Sequence, residues 1–441
     1  MKKKIILVVL IMAMILPLAV FAGGKSDAEE APVPAVSAFN IEAPSEETTI
    51  DVIGWTFPIT DFYRTQFEAL NGVENLTVNV QFLDSSGAQE QVRLALSGGK
   101  KSPYEVIHAA NSQVSEWGFP GWLMPVNDLV EKYWDEYDLG DIPQSAWDAA
   151  SIDGQILGIP VIGNSMQLIY RSDLFEKHGI KVPDTYAEVI AAAKILKEKE
   201  KSIDVPFVMN LHAGWAWEIE FFQMLGAFGG TFLNTDNTPA FNGSEGVKAL
   251  EMMKEVSEVM GAEGLAYSID DVEVGLHTGR LAFANTWASR AANMSNPDVS
   301  DFVDELKFAP SPRAMAGGKR GAAAWNDFYC IPANIEVDRE LVFKVIMEVA
   351  NLESQKGAIE FGITTRMKSL ESDKAGVYMS ASMTSLAEGA GAYPINPAIG
   401  LVRTALQEFL PLLPTGESAQ SILDKAAASY TEEAKANGFI K

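Results

Sequence analysis

The stretch from residue 153 to residue 200 constrains the fold most, because it sets turns, extended runs and helices in a fixed order. Asp153-Gly154 is typical of a hairpin turn, and it precedes the apolar run 156–162. Pro160 cannot donate a ladder hydrogen bond, so this run is expected at a sheet edge or where the chain crosses between two bodies. A second extended run, 166–170, follows.

Two helices are predicted after the extended runs, each with its own start signal. Asp173 with Glu176 forms a candidate N-terminal capping box, and Gly179 would end that helix in the left-handed conformation. Thr185 with Glu188 predicts a second capping box, at the start of a longer helix whose apolar residues recur at helical spacing. The order of these elements carries more information than either capping box.

The amino terminus predicts export. Residues 1–22 contain lysines, an apolar run over 5–20 and a small residue, Ala22, at the expected cleavage site of a secretory signal. The run is shorter than the roughly 20 apolar residues that span a bilayer, so cleavage is expected. Residues 23–46 are rich in Gly, Ala, Pro, Ser and Glu and are expected to form a flexible leader. Because no cysteine lies near the cut, no lipid anchor is expected, and the mature protein is predicted to be periplasmic or secreted.

Composition excludes several classes of partner. Lys and Arg total 34 against 59 Asp and Glu, a net charge of −25, and removing the three signal lysines leaves 31 against 59, or −28. So acidic a chain should repel nucleic acid and anionic membranes. The single cysteine, Cys330, excludes an intramolecular disulfide and is expected to be buried. Since about 400 residues exceed what one core organises, at least two lobes are expected.

After the leader, the chain alternates strands and helices. Strands are predicted over 48–55, 75–84 and 104–110, with helices after the first two, which is the βαβ pattern of a parallel sheet. Ligand sites of such sheets lie beyond the carboxyl ends of the strands, where Trp55, Asp84 and Asn111 are found. Further strands are predicted over 281–287, 306–310 and 329–335, and further helices over 338–353, 401–412 and 418–436.

Stretch 274–290 resembles a helix-to-strand element of the extracellular solute-binding proteins of ABC importers, of the sugar-binding type. The matching positions are Leu276, Gly279, Arg280 and Trp287. Other stretches that resemble the same family, in the same order, are the first strand with its helix, 89–107, 117–133, 153–200 and 322–335.

One position departs from the family pattern. The family usually has an aspartate early in its third strand, where this chain has Tyr104-Glu105. The order of the matching stretches, which cover most of the mature chain, still identifies the chain as similar to this family.

The resemblance implies an α/β, periplasmic-binding-protein-like fold with two α/β lobes, a central cleft and three hinge crossings. The implied N-terminal lobe covers 47–127 and 309–355, the C-terminal lobe covers 128–308 and 356–441, and the crossings lie near 125–129, 306–312 and 352–360. It also implies that a monomer closes around a small ligand and delivers it to ABC transporter permease subunits. No catalysis, cofactor or metal is implied, and delivery to a chemoreceptor is a further open role.

Tryptophans beside short polar residues favour a carbohydrate ligand, either a mono- or an oligosaccharide. A sugar has apolar C–H faces that stack on flat rings and a rim of hydroxyls that needs polar side chains. Trp122 and Trp147 lack a matching family position and are expected to be structural. The candidate ligand-binding residues are Trp55, Asp84, Asn111, Asn164, Trp215, Trp217, Trp287, Trp325, Asn326, Asp327 and Arg366.

Two other functions stay open. A polyamine or other small cation would also use aromatic walls with carboxylates such as Glu218 or Asp327. A secreted glycan hydrolase would need two carboxylates that flank the scissile bond, and counting acidic residues does not exclude such a pair. However, the sequence has no recognisable catalytic motif, and its four histidines lack the spacing of a zinc site. An anionic ligand is disfavoured because the predicted strand ends have no clustered Lys or Arg.

Overall fold

The computed structural model describes residues 39–441. The predicted signal peptide, 1–22, and most of the predicted leader, 23–46, lie outside the described residues. The strands are β1 (Thr48–Trp55), β2 (Leu76–Leu83), β3 (Val106–Ala110), β4 (Ser151–Ile152), β5 (Gln155–Ile156), β6 (Ile159–Asn164), β7 (Met166–Arg171), β8 (Val205–Met209), β9 (Leu281–Trp287), β10 (Leu306–Pro310), β11 (Trp325–Cys330) and β12 (Ile363–Thr364). The α-helices are α1 (Pro58–Ala69), α2 (Ser85–Ser97), α3 (Asn111–Gly118), α4 (Asn127–Lys132), α5 (Gln144–Ala149), α6 (Ser172–His178), α7 (Tyr186–Lys199), α8 (Trp215–Ala227), α9 (Ser244–Ala266, kinked at Gly261), α10 (Ile269–His277), α11 (Ala291–Met294), α12 (Arg339–Val349), α13 (Leu352–Ala358), α14 (Met379–Ala387), α15 (Ile399–Phe409) and α16 (Ala419–Ala436).

Two main sheets organise the described chain. One has six strands in the order β12-β6-β11-β3-β1-β2, and the other has four in the order β10-β7-β9-β8. In the six-stranded sheet β1 pairs in parallel with β2 and β3, as the alternation of strands and helices predicted. Helices α1 and α2 pack on this sheet, while α7, α9, α10 and α14 pack on the four-stranded sheet. The predicted α/β class is therefore confirmed.

Most central strands are buried on both faces because helices cover the sheets. Strand β9 is buried along its whole length, and β3 is likewise buried at each position. Cys330, at the end of β11, is buried as expected, and burial raises the pKa of its thiol. Across residues 39–441, no helix is both long and apolar enough to span a bilayer.

The central stretch folds largely as its turn and cap residues predict. Asp153 and Gly154 both have positive φ, +50° and +77°, and they connect the antiparallel pair β4 and β5. Gly179 ends α6 at φ +66°. The Thr185 hydroxyl accepts from the backbone N–H of Glu188, whose carboxylate accepts from the backbone N–H of Thr185, so the predicted capping box is present.

The capping box predicted at Asp173 is wrong. Helix α6 begins after Arg171, whose side chain does not cap it. Both carboxylate oxygens of Asp173 instead accept from the Arg171 guanidinium, at 2.8 and 2.6 Å. The guanidinium and the carboxylate carry opposite charges and form two parallel hydrogen bonds, so the arginine and not the helix terminus engages this carboxylate.

The strand predicted over 329–335 lies earlier, at 325–330. Pairing with both β3 and β6 gives residues 325–330 two hydrogen-bonding neighbours, whereas Pro332 forms only an isolated bridge with Leu123. The helix predicted over 338–353 is also divided, because Asn351 accepts from the backbone N–H of Ser354 and starts a new helix there. The first difference depends on strands that are distant in sequence, and the second on a local N-cap that apolar periodicity does not show.

Three segments carry the chain between the two sheets. The first is Ser165, between β6 and β7; the second is 311–324, between β10 and β11; the third is 365–378, between β12 and α14. Pro160 was predicted to lie either at a sheet edge or near a chain crossing. It lies in an internal strand, close to the first segment, so the chain crossing is the placement that fits.

Strand membership differs from the predicted lobe limits. Strand β6 belongs to the same sheet as β1 to β3, although 128–308 had been assigned to the C-terminal lobe. Because a continuous hydrogen-bonded sheet moves as one body, we propose an N-terminal lobe of 47–164 and 325–364. The C-terminal lobe would then comprise 166–310 and 379–441.

Candidate ligand-binding site

A cavity of about 610 Å³, counting the open space at its mouth, lies where the two sheets meet. We call it the indole cavity, since four tryptophans line it. The lining residues are Trp55, Phe57, Ser85, Gln89, Ala110, Ser112, Gln113, Asn164, Trp215, Ile219, Ile269, Trp287, Ser289, Arg290, Trp325, Asp327 and Arg403.

Strand register brings two of the indoles together. Trp325 pairs with Asn164 at the end of β6, and Trp287 pairs with Met166 at the start of β7. Because only Ser165 separates these two partners, the tryptophans of the two sheets meet at the crossing. Their ring centroids are 5.6 Å apart with an interplanar angle of 54°. The first crossing therefore builds one aromatic wall of the cavity.

Trp55 forms another part of the lining, from the carboxyl end of β1. Its indole stacks on the His108 ring, with centroids 3.6 Å apart and an interplanar angle of 11°. His108 is fully buried and lies 3.7 Å from a carboxylate oxygen of Asp327, which is longer than a hydrogen bond. The stack fixes the orientation of the Trp55 ring, so this face needs little reordering when a ligand binds.

Asp327 is the one acidic residue among the cavity-lining positions of the described chain. Its carboxylate has a charged contact within residues 39–441, with His108 Nε2 at 3.7 Å, which is too long for a hydrogen bond. A buried carboxylate has strong acceptor capacity that a protein normally satisfies. Ligand hydroxyls, water or a cation would satisfy it here.

Asn164 combines a structural and a lining position. Its side-chain oxygen accepts from the backbone N–H groups of Ser165 and Ser289, at 3.0 and 3.2 Å. Its side-chain nitrogen donates to the Ser289 hydroxyl at 3.1 Å. The amide thus joins the crossing segment to the turn after β9, while part of it faces the cavity.

Two arginines line the indole cavity, and sequence reasoning missed both. Arg290 binds Asp270 and Glu273 at 2.7 and 2.8 Å. Arg403 contacts Glu116, and its Nε lies 3.4 Å from Glu218. Because carboxylates already pair both guanidinium groups, neither offers an uncompensated positive charge to an anionic ligand.

A signal for one of these arginines was present in the sequence. Arg290 is the last residue of the family-like stretch 274–290, three residues after the predicted aromatic Trp287. Arg403 lies within a predicted helix, and nothing local distinguishes it from a surface arginine. Only the packing of α15 against α8 and α3 brings it to the cavity.

Glu218 lies behind Arg403 rather than in the cavity. It is fully buried and accepts a hydrogen bond from the Tyr393 hydroxyl at 2.7 Å. Burial raises the pKa of Glu218, against the opposing effects of Arg403 and Tyr393. The carboxylate therefore holds the arginine in place and is not available to a cationic ligand.

Six of the eleven predicted residues line the indole cavity: Trp55, Asn164, Trp215, Trp287, Trp325 and Asp327. At two further positions the carboxyl-end prediction indicated the edge of the sheet that lines this cavity. Ser85 and Ser112, next to Asp84 and Asn111, line the cavity instead of those residues.

The side chains of Asp84 and Asn111 satisfy backbone groups. Asp84 caps α2 by accepting from the backbone N–H of Gly87 at 2.9 Å. The Asn111 side-chain oxygen accepts from the backbone N–H of Asn326 at 2.6 Å. Asp84, Asn111 and Asn326 are not among the lining residues. The hydrogen bonds to backbone N–H groups hold the side chains of Asp84 and Asn111 away from the cavity.

Trp217 and Arg366 also lie away from the indole cavity. Trp217 is 3% exposed and packs in the hydrophobic core. Arg366 is completely buried, and its Nη1 donates to the carbonyl oxygens of Tyr137 and Asp138, each at 2.7 Å. Core packing explains the position of Trp217, and hydrogen bonds to backbone carbonyls explain the position of Arg366.

Replacing Trp287 with alanine should weaken binding of the cavity ligand by about 1–3 kcal/mol, the loss expected for one stacked ring and its buried area. Titration calorimetry of the folded variant measures the change. The matched control is Trp134→Ala, since Trp134 is 39% exposed and does not line the cavity. Equal affinity of the Trp287 variant and the native protein would remove this ring from the site.

Comparison with known proteins places these features in a wider context. The family model for bacterial extracellular solute-binding proteins matches residues 58–336. The mannitol-binding protein of Pseudomonas aeruginosa is 24% identical over 226 residues, which cover 50% of each chain. A probable amino-acid ABC transporter periplasmic-binding protein of Sinorhizobium fredii is 23% identical over 187 residues, covering 41% of this chain and 42% of that protein. The chain thus spans about half the length of these curated relatives.

Solved structures match over more of the chain. A solute-binding protein of Agrobacterium radiobacter in complex with ribitol has a TM-score of 0.77 and 20% identity, covering 88% of this chain and 99% of that one. A protein of Agrobacterium vitis with bound D-mannitol has a TM-score of 0.74 and 23% identity, covering 89% and 99%. At these identities the likeness shows the fold alone, and it confirms the predicted two-lobed, periplasmic-binding-protein-like architecture.

Proposed function

The chain belongs to the family of bacterial extracellular solute-binding proteins, and we propose that it binds a carbohydrate or polyol in the indole cavity and delivers it to an ABC transporter permease. The observation that carries this proposal is the set of four indoles, contributed by both lobes, around one cavity. Flat rings suit the C–H faces of a polyhydroxy compound. Structural relatives bind ribitol, D-mannitol and D-tagatose, which supports the same ligand class.

The polar lining also favours a neutral ligand. Gln89, Gln113, Asn164 and Ser289 offer amide and hydroxyl groups, and Asp327 offers a carboxylate, around the indoles. Hydroxyl groups both donate and accept, so a polyhydroxy compound pairs with such a mixed set without leaving buried polar groups unpaired. The two arginines add donors whose charge is already compensated.

Delivery requires a change of shape that a permease recognises. We propose that the lobes defined by the two sheets close about the segments at Ser165, 311–324 and 365–378 when ligand contacts indoles of both. The protein would act as a periplasmic or secreted monomer and catalyse no reaction. One carboxylate among the lining residues of the described chain supports this, since glycoside hydrolysis uses a pair.

A thermal-shift screen tests the ligand class. Ribitol, D-mannitol, D-tagatose or maltose should raise Tm in a concentration-dependent manner, since a ligand at a hundredfold excess over its Kd adds about 2.7 kcal/mol to the free energy of unfolding. A rise of Tm with amino acids alone, and with none of these compounds, would contradict the proposal.

The buried Asp327 carboxylate among indoles specifically favours one second candidate, a cationic ligand such as a polyamine. Cation–π attraction and ion pairing would both act on an ammonium group there. This alternative shares the cavity but not the chemistry. Binding of a cation weakens with added salt, whereas binding of a neutral polyol does not depend on screening.

Replacing Asp327 with asparagine separates the two candidates. For a polyol, the amide retains an acceptor, so binding should weaken by about 1–2 kcal/mol and remain insensitive to salt. Calorimetry of both proteins at low and high NaCl, with D-mannitol and with spermidine, measures this. Three results together would replace the polyol with the cationic candidate. Spermidine would bind the native protein, its affinity would fall with added salt, and the Asp327→Asn variant would not bind it.

A further inference from the structure

A second depression adjoins the indole cavity on the side of α2, α3 and α15. We call it the outer groove; its volume is about 1,170 Å³ including open solvent. The two spaces share four lining residues, which are Gln89, Gln113, Trp215 and Arg403. Because the same side chains line both spaces, a thin wall of side chains separates them rather than a layer of backbone.

An ion pair and a hydrogen bond make up this wall. Arg403 on α15 contacts the Glu116 carboxylate on α3, so the ion pair joins the two lobes. Beside it, Gln113 donates to the Gln89 side-chain oxygen at 2.9 Å, which ties α3 to α2. Arg403 lines both spaces, whereas Glu116 lines the outer groove only.

The two partners of the ion pair differ in how firmly they are held. The Arg403 side chain is 9% exposed and is fixed from behind by Glu218, which Tyr393 holds in turn. The Glu116 side chain is 31% exposed and makes its one ion pair within the described residues with Arg403. A partly exposed ion pair contributes little to stability, so Glu116 is the partner that moves when the wall opens.

We propose that the Arg403–Glu116 ion pair is a size-selecting element of this binding site. This role rests on the proposed function, because it concerns a polyhydroxy ligand in the indole cavity. The closed wall confines that ligand to one alditol or monosaccharide unit. A second sugar ring would reach the outer groove only when the ion pair is broken. Glu90, Arg93 and Gln407 line the groove beyond it, so the groove supplies polar partners for the hydroxyls of that second ring.

Removing the Glu116 carboxylate opens the wall without disturbing the buried Glu218 network. In a Glu116→Ala variant we expect the affinity for maltose to rise about two- to fivefold relative to that for the tightest-binding compound among ribitol, D-mannitol and D-tagatose. This is the cost of breaking one partly exposed ion pair. The matched control is Glu336→Ala, which removes a carboxylate from an exposed ion pair with Lys101, distant from both spaces.

Titration calorimetry of the native protein and both variants measures the ratio of the two affinities. A ratio that rises in Glu116→Ala and stays constant in Glu336→Ala supports size selection by the wall. An unchanged ratio in Glu116→Ala, or native protein that already binds maltose more tightly than the small compounds, overturns it while leaving the proposed function intact. If no sugar or polyol binds any of the three proteins, the proposed function fails and the size-selecting role fails with it.

Discussion

Raising the pH from about 5 to about 9 should lower the free energy of unfolding of the native protein by about 3–5 kcal/mol more than that of a Glu220→Gln variant. Burial raises the pKa of Glu220 from 4.5 to about 8. The unfolded chain therefore loses this proton near pH 4.5, whereas the folded protein keeps it up to about pH 8. The stabilising contribution is complete below the lower pKa and is lost as the pH rises through the higher one.

The surroundings of Glu220 explain its preference for the neutral form. The residue is 2% exposed, and one carboxylate oxygen accepts from the Asn210 side chain at 3.1 Å. The other oxygen has no hydrogen-bond partner within 39–441, so a negative charge there would be poorly solvated. Tyr186 is a titratable neighbour, and because burial raises the pKa of its hydroxyl, it stays neutral throughout this range.

Glutamine imitates the protonated carboxyl, since it retains the acceptor for Asn210 and places a donor at the second position. Urea denaturation of both proteins at about pH 5, 7 and 9 gives the two pH profiles. The variant should lack the steep loss between pH 5 and 9. Parallel profiles would show that Glu220 ionises at its ordinary pKa and is better solvated than the structure indicates.

Replacing Arg366 with alanine should lower the free energy of unfolding by about 2–4 kcal/mol, because two backbone carbonyls lose their donor and the buried side chain leaves a cavity. The expected loss of stability is smaller than the sum of the hydrogen-bond and cavity contributions. Removing a buried charge also removes the free-energy cost of its desolvation. That desolvation also lowers the pKa of Arg366.

A neighbouring lysine provides the control for Arg366. Lys368 is half-exposed and contacts the Asp138 carboxylate, so Lys368→Ala should change stability by less than about 1 kcal/mol. Urea denaturation measures both effects. Ligand affinity of the Arg366 variant should stay close to native under conditions where it is folded. A stable Arg366 variant with lost binding would return this residue to the ligand site.

Local chemistry was sufficient to predict most secondary structure. The alternation of apolar residues predicted β1 at the observed residues, Thr48–Trp55, and Ser418 caps α16 where that helix was expected to start. Strand pairing over long sequence distances decided one exception, and an ion pair between residues two apart decided another. The position of β11 depends on β3 and β6, and the side chain of Asp173 depends on a neighbouring arginine.

The candidate site was predictable where residue type and strand end coincide. Trp55 and Trp287 lie at the ends of apolar strands, and both line the cavity. Asp84 and Asn111 lie at the same edge, but their short side chains reach backbone N–H groups first. Arg403 could not be found because its position depends on how a distant helix packs.

The central claim is that indoles of both lobes bind a neutral polyhydroxy ligand in one cavity. Titration calorimetry of the native protein at neutral pH, with ribitol, D-mannitol, D-tagatose, maltose and spermidine as separate titrants, tests it most directly. We expect saturable binding of at least one neutral compound with one site per chain and no dependence of Kd on NaCl. Saturable binding of spermidine, with none of the neutral compounds bound, would contradict the claim.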